Sequence, residues 1–383
     1  MPGLVIDLDK IHHNAKTLVM RLGAHDISVT GVTKAFCGAP QLAKVLLRAG
    51  VTSLGDSRIE NIERLREAGI DATITLIRSP MISQVDRVVA AADISLNTEP
   101  AVIHALSAAA RKAGKQHGII LMVELGDLRE GIMPCDIENI LQSLRRLPNI
   151  NIIGLGTNLA CRSGISPDDD NMASLSALAE HIDAGDAVNA TNAGGTEAGP
   201  FMPPLSVISG GNSSNLDWFF AGGTVGRINN LRLGEAILLG REPLHRQPIP
   251  GLHTDAIRLI AEVIESKTKP SKPWGTAAQT AFGTPAAIDD TGDIFQSILA
   301  IGQQDVDPNG LRPPHGIKIL GASSDHLVLD TGEHPVPVGT EIAFMPDYAA
   351  LLRCMTSPYV DTTYIGKTAT PRSVFKSVPV FQG

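Results

Sequence analysis

The strongest constraint on the fold is an alternation of short apolar or β-branched runs with longer stretches of helical period. In the first helical stretch, apolar side chains recur at spacings of four, three and four residues, at Ile11, Ala15, Leu18 and Leu22. Such a stripe is typical of a helix that packs against a sheet. Strands that alternate with helices pair in parallel, because each helix carries the chain back across the sheet. The sequence therefore predicts an α/β fold built on a parallel sheet.

Eight runs are predicted to be strands of this sheet, near residues 29–33, 52–55, 73–77, 93–96, 119–124, 151–156, 205–209 and 230–235. Because helical stretches fill most of the gaps, the economical prediction is a (β/α)8 TIM-like barrel over residues 8–245. A doubly wound open sheet is the alternative. The segment 184–204 is rich in Ala, Gly, Asn and Pro and is predicted to be a surface loop, either a flexible insertion or a lid.

A mainly β C-terminal domain is predicted over residues 246–383, where short apolar runs are separated by Gly, Pro and Asp at close spacing. Residues 1–7 are a candidate extra strand for it. The stretch KTKPSKPWG, residues 267–275, is expected to be an exposed connection, because proline interrupts a sheet ladder.

Composition narrows the class of partner to a small molecule. The formal net charge is −8 and basic residues form no run, which disfavours nucleic acid. No run of about 18 apolar residues is present to span a membrane, and the acidic N-terminal segment is unlike a secretory signal, so we expect a cytoplasmic protein. The four cysteines include no C-x-x-C pair, which argues against a disulfide framework and a structural zinc site.

Polar residues follow the predicted strands, where the active site of a barrel gathers, at Lys34, Asp56, Ser57, Arg58, Arg78, Asn97, Thr98, Arg129, Thr157 and Asn158. A lysine at the mouth of a barrel can lose its proton through desolvation and form a Schiff base. By itself, Lys34 is weak evidence for this chemistry, because a surface lysine that extends its amine into water is the more common case.

The seventh predicted strand ends in VISGGNSSNL, in which two glycines precede Asn212, Ser213 and Ser214. Bare backbone N–H groups and hydroxyls at a helix start suit a phosphate, and a glycine turn with a serine cap is the alternative. The eighth strand places Arg232 among apolar residues, where a buried guanidinium needs a partner, either Glu235 or a ligand.

VTKAF, ELGDLREG, SGGNSSNL and LRLGEAILLG resemble, in this order, segments of the fold-type III pyridoxal-phosphate enzymes, specifically the alanine and ornithine racemase group. The resemblance covers nearly the whole chain. It implies that Lys34 forms a Schiff base with pyridoxal 5′-phosphate. It further implies that Arg129 lies near the cofactor's phenolic oxygen and the substrate carboxylate, and that Arg232 faces the pyridine nitrogen.

The same resemblance assigns the remaining site residues. Ser213 and Ser214 correspond to the phosphate-binding segment, and Asn158 is assigned to the cofactor site. In the second domain, PDYAALL matches a phosphate-contacting tyrosine segment at Tyr348. GASSDHLVLD matches a segment that supplies an aspartate, here Asp325, to the site of the partner subunit. The resemblance therefore implies a homodimer with shared active sites.

Two departures from the alanine racemases concern the substrate. The tyrosine that acts as the second base is replaced by Phe282, and a phosphate-binding tyrosine four residues after the lysine is replaced by Gly38. A phenyl ring carries no titrating proton, so Cys161, Cys37 and Asp325 are weak candidates for the second base and none is assigned. For a basic substrate, Asp305 is a candidate partner of the side-chain ammonium group.

GVTKAFCGAP, GDSRIEN, AIGQQDVD and GASSDHLVLD are closer to the ornithine racemase branch. The implied function is interconversion of L- and D-amino acids by removal of the α-proton, with basic substrates of the ornithine and lysine type. The alternatives are an alanine or broad-specificity racemase, a fold-related D-amino-acid aldolase or decarboxylase, and a non-enzymatic carrier of pyridoxal phosphate.

Overall fold

The computed structural model describes residues 1–192, 203–283 and 289–367, without the side chains of 186–192. The chain divides into two compact units. The barrel unit is Ile11–His253. The sheet unit consists of Met1–Lys10 and the described residues from Thr254 onward.

The chain begins with strand β1 (Gly3–Asp7) and helix α1 (Leu8–Gly23). Eight parallel strands then close into a barrel: β2 (Ser28–Val32), β3 (Ser53–Asp56), β4 (Ile74–Leu76), β5 (Ile94–Asn97), β6 (His117–Met122), β7 (Ile150–Gly156), β8 (Val207–Ser209) and β9 (Asn230–Leu233). Pairing of β2 with β9, Ser28 opposite Asn230, closes the ring. The predicted barrel is thus confirmed, and every predicted strand end lies within two residues of the observed one.

Helices cover the outside of this barrel: α2 (Pro40–Arg48), α3 (Ile59–Glu67), α4 (Val85–Ala91), α5 (Pro100–Ala113), α6 (Ile137–Leu144), α7 (Asp169–Asn192), α8 (Asn215–Phe220) and α9 (Glu235–Leu239). The predicted apolar stripe of α1 is buried, with Ile11, Ala15, Leu18 and Leu22 all 0% exposed. Burial of this stripe removes apolar surface from water and holds the helix in place.

The predicted loop over residues 184–204 is wrong for its first part, because α7 continues to Asn192. The helix is anchored earlier by Met172, Leu175 and Ala179, each fully buried. Extending an existing helix costs far less than starting one, and alanine, frequent in AGDAVNATN, has the highest helix propensity. Residues 193–202 lie outside the described part of the chain.

The sheet unit contains β10 (Ile257–Pro270), β11 (Asp293–Leu299), β12 (Leu311–Arg312), β13 (Lys318–Ala322), β14 (Leu327–Asp330), β15 (Glu341–Pro346), helix α10 (Tyr348–Thr356) and β16 (Asp361–Ile365). Six strands pair antiparallel in the order β12-β15-β10-β11-β14-β13. Strand β1 lies beside β10, antiparallel to it, and pairs in parallel with β16.

The connection expected over residues 267–275 begins later than predicted, because residues 267–270 are the end of β10 and pair with β11. Pro270 is the last residue of the strand, opposite Asp293. A proline at a strand end removes no hydrogen bond from the interior of the ladder.

Candidate active site

Lys34 lies at the carboxyl end of β2, where it opens a short 3-10 turn and is half-buried. The preceding residue anchors this turn, since Thr33 Oγ1 donates to the Asp56 carboxylate at 2.5 Å. Asp56 also accepts from Asn61 Nδ2 at 2.9 Å and is 0% exposed. Burial raises the pKa of Asp56, although these hydrogen bonds oppose the rise. Strand β3 and helix α3 therefore fix the turn that carries Lys34.

The structure around Gly38 explains why no larger side chain stands four residues after Lys34. Its φ is +63°, and a Cβ atom would lie 2.8 Å from the Cβ of Asn61. Only glycine combines this backbone conformation with so close an approach. The tyrosine expected from the resemblance therefore cannot fit at this position.

Arg129 projects from a loop that leaves and rejoins the end of β6, closed by a bridge between Val123 and Ile132. Its guanidinium donates through two nitrogens to both carboxylate oxygens of Glu130. Burial lowers the pKa of Arg129 and the hydrogen bonds with Glu130 raise it, and the net shift is upward. The Arg129 guanidinium, near the carboxyl ends of the barrel strands, is thus paired with the next residue in the sequence, Glu130.

The loops after β6 and β7 are joined. The Asp127 carboxylate accepts from the backbone N–H groups of Arg162 and Ser163 at 3.0 and 2.9 Å, and Arg162 Nη1 donates to the Leu128 carbonyl at 2.7 Å. Asp127 is 1% exposed. The loop that presents Arg129 is consequently held against the next loop of the barrel.

Arg232 lies on β9 inside the barrel and is 5% exposed. Its described partners are neutral: Nη1 donates to Ser209 Oγ at 2.5 Å, and Nη2 donates to the Thr157 carbonyl at 2.7 Å and to Asn158 Oδ1 at 3.3 Å. Burial lowers the pKa of Arg232 to about 10. Glu235, the alternative partner raised by the sequence, instead pairs with Arg246.

A chain of hydrogen bonds continues from Arg232 across the barrel. Ser209 Oγ donates to Asn230 Oδ1 at 2.7 Å, and Asn230 Nδ2 donates to Thr30 Oγ1 at 3.0 Å. The Thr30 hydroxyl in turn lies 2.8 Å from that of Ser53. Strands β8, β9, β2 and β3 are thereby linked through their inward-facing polar side chains.

A cavity of about 180 Å³ lies along this chain, inside the barrel unit. Barrel interiors are usually filled by branched apolar side chains. Here many lining residues carry hydroxyl groups, namely Ser28, Thr30, Thr52, Ser53, Thr73, Thr75 and Ser209. The hydroxyls of Ser28, Thr30, Thr52, Ser53 and Ser209 already take part in hydrogen bonds within the protein.

The segment after β8 combines close backbone approach with buried hydroxyl groups. Gly211 has φ +142°, and a Cβ there would lie 2.2 Å from Asn215 Oδ1. Ser213 Oγ accepts from the Ala236 N–H at 3.2 Å. Ser214 is 0% exposed, and its Oγ has no hydrogen-bond partner among the described residues. A buried hydroxyl without a partner is the kind of group that a bound anion satisfies.

Asn158 and Asn212 connect this segment to the end of β7. Asn212 Nδ2 donates to Asn158 Oδ1 at 3.2 Å and contacts Cys161 Sγ at 3.5 Å. Asn158 Nδ2 and Asn97 Oδ1, both at strand ends, are buried without a partner in the described part of the chain. Together with Ser214 Oγ, these atoms offer polar contacts to a ligand at the carboxyl ends of β5, β7 and β8.

The predicted residues of the second domain lie in the sheet unit. Asp325 is exposed between β13 and β14 and accepts from Gln304 Nε2 and Ser324 Oγ. Tyr348 is the first residue of α10 and is half-buried. Phe282 is 51% exposed. The Asp305 carboxylate is 5% exposed and accepts from Ser357 Oγ at 2.6 Å.

Of the candidate second bases, Cys37 is disfavoured, because burial and the charge of Asp56 raise the pKa of its thiol. Cys161 lies near the rim beside Asn212. Within the described ranges, no group of three or more His, Cys, Asp or Glu residues is placed to hold a metal ion. No described helix combines the length and apolarity needed to cross a membrane.

The sequence interpretation missed Ser209, Asn230 and Glu130. Ser209 and Asn230 are polar residues within otherwise apolar strand runs, and that exception was the available signal. Their link to Arg232 depends on the register between β8 and β9, in which Ser209 lies opposite Asn230. Glu130 stands next to an expected site residue, but a neighbour in sequence need not be a partner in space.

Comparison with known proteins gives full-length matches. Residues 6–236 match the alanine racemase N-terminal domain family. The chain is 36% identical to the ornithine racemase of Acetoanaerobium sticklandii, covering 94% of this chain and 98% of that protein. It is 35% identical to the lysine racemase of Thermotoga maritima, covering 95% and 98%.

Two further matches differ in extent. The alanine racemase of Sorangium cellulosum is 30% identical, but over only 41% of this chain and 43% of its own length. A crystal structure of alanine racemase from Bartonella henselae with covalently bound pyridoxal phosphate has a TM-score of 0.70 at 18% identity, covering 95% of this chain and 99% of that one. The barrel and sheet architecture is therefore shared with that structure.

Proposed function

The chain belongs to the alanine racemase family, and on that premise we propose that it interconverts the L- and D-forms of ornithine and lysine with pyridoxal 5′-phosphate as cofactor. The observation that carries the proposal is the position of Lys34 at the end of a barrel strand, in the same barrel as a buried arginine with neutral partners. The preference for basic substrates is supported by the two full-length relatives, whereas the sequence match to the alanine racemase of Sorangium cellulosum covers less than half of the chain.

The residues of the barrel unit fit this cofactor. Ser213, Ser214 and the glycine backbone before them bind the phosphate, for which the partnerless hydroxyl of Ser214 is available. Lys34 would hold the cofactor covalently, and Asn158 offers a buried amide at the same end of the barrel. Arg232 would lie near the pyridine nitrogen and, as a cation, would disfavour its protonation.

When bound, the cofactor would supply an electron sink that acidifies the α-proton of the substrate. Lys34 Nζ takes this proton from one face or returns it. Arg129 orients the substrate by binding its carboxylate, for which a guanidinium has matching bidentate geometry. By disfavouring protonation of the ring nitrogen, the Arg232 cation would favour return of the proton to the α-carbon over side reactions.

At the level of the whole protein, we propose a cytoplasmic homodimer whose sites are shared, with Asp325 serving the site of the partner subunit and Tyr348 contacting the cofactor phosphate. The proposed domains are the barrel over residues 8–245 and the β domain over 246–383. The ligand is a small amino acid, and neither nucleic acid nor membrane is a partner.

The test is proton NMR of the cofactor-loaded protein in heavy water with ornithine, lysine, arginine, alanine, serine and glutamate, followed by chiral analysis. We expect ornithine and lysine to lose their α-proton signal and to racemise. Preferred exchange of alanine would favour the alanine or broad-specificity alternative. Absence of exchange across the panel would contradict a racemase and favour an aldolase, whose activity a chelator would remove, a decarboxylase or a carrier.

Replacement of the lysine provides the companion test. Lys34→Ala is expected to abolish exchange, because the same amine holds the cofactor and moves the proton. It should also remove the visible absorbance of the covalently held cofactor. Retention of that absorbance in the variant would show that another residue binds the cofactor.

A further inference from the structure

A basic substrate brings a side-chain ammonium group into the site, and a charge that leaves water needs an acidic partner. In the sheet unit, Asp305 is buried and hydrogen-bonded, and the two carboxylate oxygens of Asp325 accept from Gln304 Nε2 and Ser324 Oγ. In the barrel unit, the acids at or just beyond the carboxyl ends of the strands are Asp56, Glu99, Glu124, Asp127, Glu130 and Glu235.

Three of these acids hold backbone in place. Asp56, Glu124 and Asp127 accept from backbone N–H groups at 2.7 to 3.0 Å, and each is at most 9% exposed. Releasing any of them would leave buried N–H groups without a partner, which costs about 1–3 kcal/mol for each group. Glu235 has a side chain only 13% exposed and pairs with Arg246. These four acids are committed to the fold.

Glu130 differs from them in the kind of partner it has. In the described contacts its carboxylate is held by the side chain of Arg129, and both side chains are partly exposed, at 30% and 37%. No backbone hydrogen bond has to break for Glu130 to move. Its partner is moreover the residue that the proposed function assigns to the substrate's carboxylate.

We propose that Glu130 determines the preference for basic side chains: when the substrate's carboxylate binds Arg129, the released Glu130 binds the substrate's side-chain ammonium group. The inference rests on the proposed function and specifies its substrate class. One ion pair in the free protein becomes two pairs in the complex, so neither protein charge is left unpaired. A neutral side chain of equal length would displace Glu130 from Arg129 without offering it a new partner, which disfavours that substrate relative to a basic one.

The test compares ornithine with norvaline, which has the same carbon chain without the terminal amine, on cofactor-loaded wild-type protein, Glu130→Gln and Glu99→Gln. Glu99 is an exposed acid directly before helix α5 at the same end of the barrel, so its substitution controls for a general loss of negative charge. A racemic mixture is already at equilibrium for a racemase. Titration of the cofactor's absorbance with each racemic amino acid therefore measures binding without net turnover.

We expect Glu130→Gln to weaken ornithine binding about tenfold or more, the effect of losing one charge-assisted contact, and to leave norvaline binding unchanged or tighter, because norvaline leaves Glu130 unpaired in the wild type. Glu99→Gln should leave both unchanged. Equal weakening for ornithine and norvaline would overturn the inference, since Glu130 would then act only by placing Arg129. Loss of ornithine preference in Glu99→Gln would also overturn it.

Failure of the proposed function gives a different result. In that case the wild-type protein itself would exchange no α-proton of ornithine or lysine. If the wild type exchanges ornithine and Glu130→Gln keeps the wild-type ratio of ornithine to norvaline affinity, only the assignment of Glu130 fails.

Discussion

Arg232 holds a positive charge inside the barrel with a hydroxyl, a carbonyl and an amide as its partners. Burial lowers its pKa to about 10, which still leaves the guanidinium charged at neutral pH. The sequence identified the residue, because arginine is unusual in an apolar strand. It could not identify the partners, since these come from β7 and β8 and depend on how the strands align.

A prediction at the residue scale concerns Gly38 and Gly69, which share a left-handed backbone with φ of +63° and +74°. Gly38→Ala introduces a Cβ 2.8 Å from that of Asn61, whereas nothing lies within 4 Å of the Cβ position at Gly69. Both variants should incur the left-handed penalty of about 1 kcal/mol. Gly38→Ala should lose about 1–3 kcal/mol more from overpacking.

Urea unfolding of the two alanine variants checks this comparison. The free energy of unfolding should fall further in Gly38→Ala than in Gly69→Ala. Equal losses would show that the contact with Asn61 relaxes without cost, and the steric explanation for the missing tyrosine would then be wrong.

At the scale of elements, the strands were predictable because burial requires β-branched and apolar runs of the right length. The continuation of α7 beyond residue 184 was not, because its local pattern has little apolar periodicity and the helix is started by residues far upstream. The chain of hydrogen bonds from Arg232 to Ser53 was also not predictable from the sequence. It joins strands that are adjacent in the barrel but up to about 200 residues apart in sequence.

Ser209 is the central member of that chain. Ser209→Ala would leave Arg232 Nη1 and Asn230 Oδ1 without this partner in the interior and should cost about 1–3 kcal/mol of unfolding free energy. Ser206→Ala is the matched control, since Ser206 Oγ donates to one carbonyl at an exposed position. Chemical unfolding of the cofactor-free proteins should separate the two variants. A loss in Ser206→Ala as large as in Ser209→Ala would refute the role of the chain.

His117, the first residue of β6, gives a pH-dependent prediction. It is 1% exposed, its Nε2 lies 2.8 Å from Ser95 Oγ, and burial lowers its pKa to about 4. The unfolded chain, with an ordinary pKa near 6.5, therefore binds more protons between pH 6.5 and 4. Stability attributable to His117 is present above pH 6.5 and is lost as the pH falls through this window.

The measurement is the free energy of unfolding, from urea titrations of the wild type and of His117→Gln at pH 8 and pH 5. The wild type should lose about 2 kcal/mol more than the variant on acidification. Parallel pH dependence in the two proteins would mean that His117 is protonated in the folded state or that Ser95 compensates for its charge.

At the scale of the whole molecule, the proposed shared sites predict that two inactive variants restore each other. In each proposed site, one subunit supplies Lys34 and the other supplies Asp325. In a mixed dimer of Lys34→Ala and Asp325→Ala, one site therefore carries both substitutions and the other carries neither. Unfolding and refolding the variants together should recover about a quarter of wild-type racemisation if subunits pair at random. A mixture of Lys34→Ala with Arg129→Ala is the control, because both residues belong to the same barrel and no intact site forms. Recovery in neither mixture would contradict sharing.

The pairing of β1 with β10 and β16 has a consequence for how the protein is made. Strand β1 is synthesised before its partners, which begin at Ile257 and Asp361 and emerge only after the entire barrel unit. An unpaired strand edge invites association with other chains. During translation, β1 therefore stays unpaired until both partner strands have been synthesised. Conditions that slow synthesis after the barrel unit should favour aggregation through this strand.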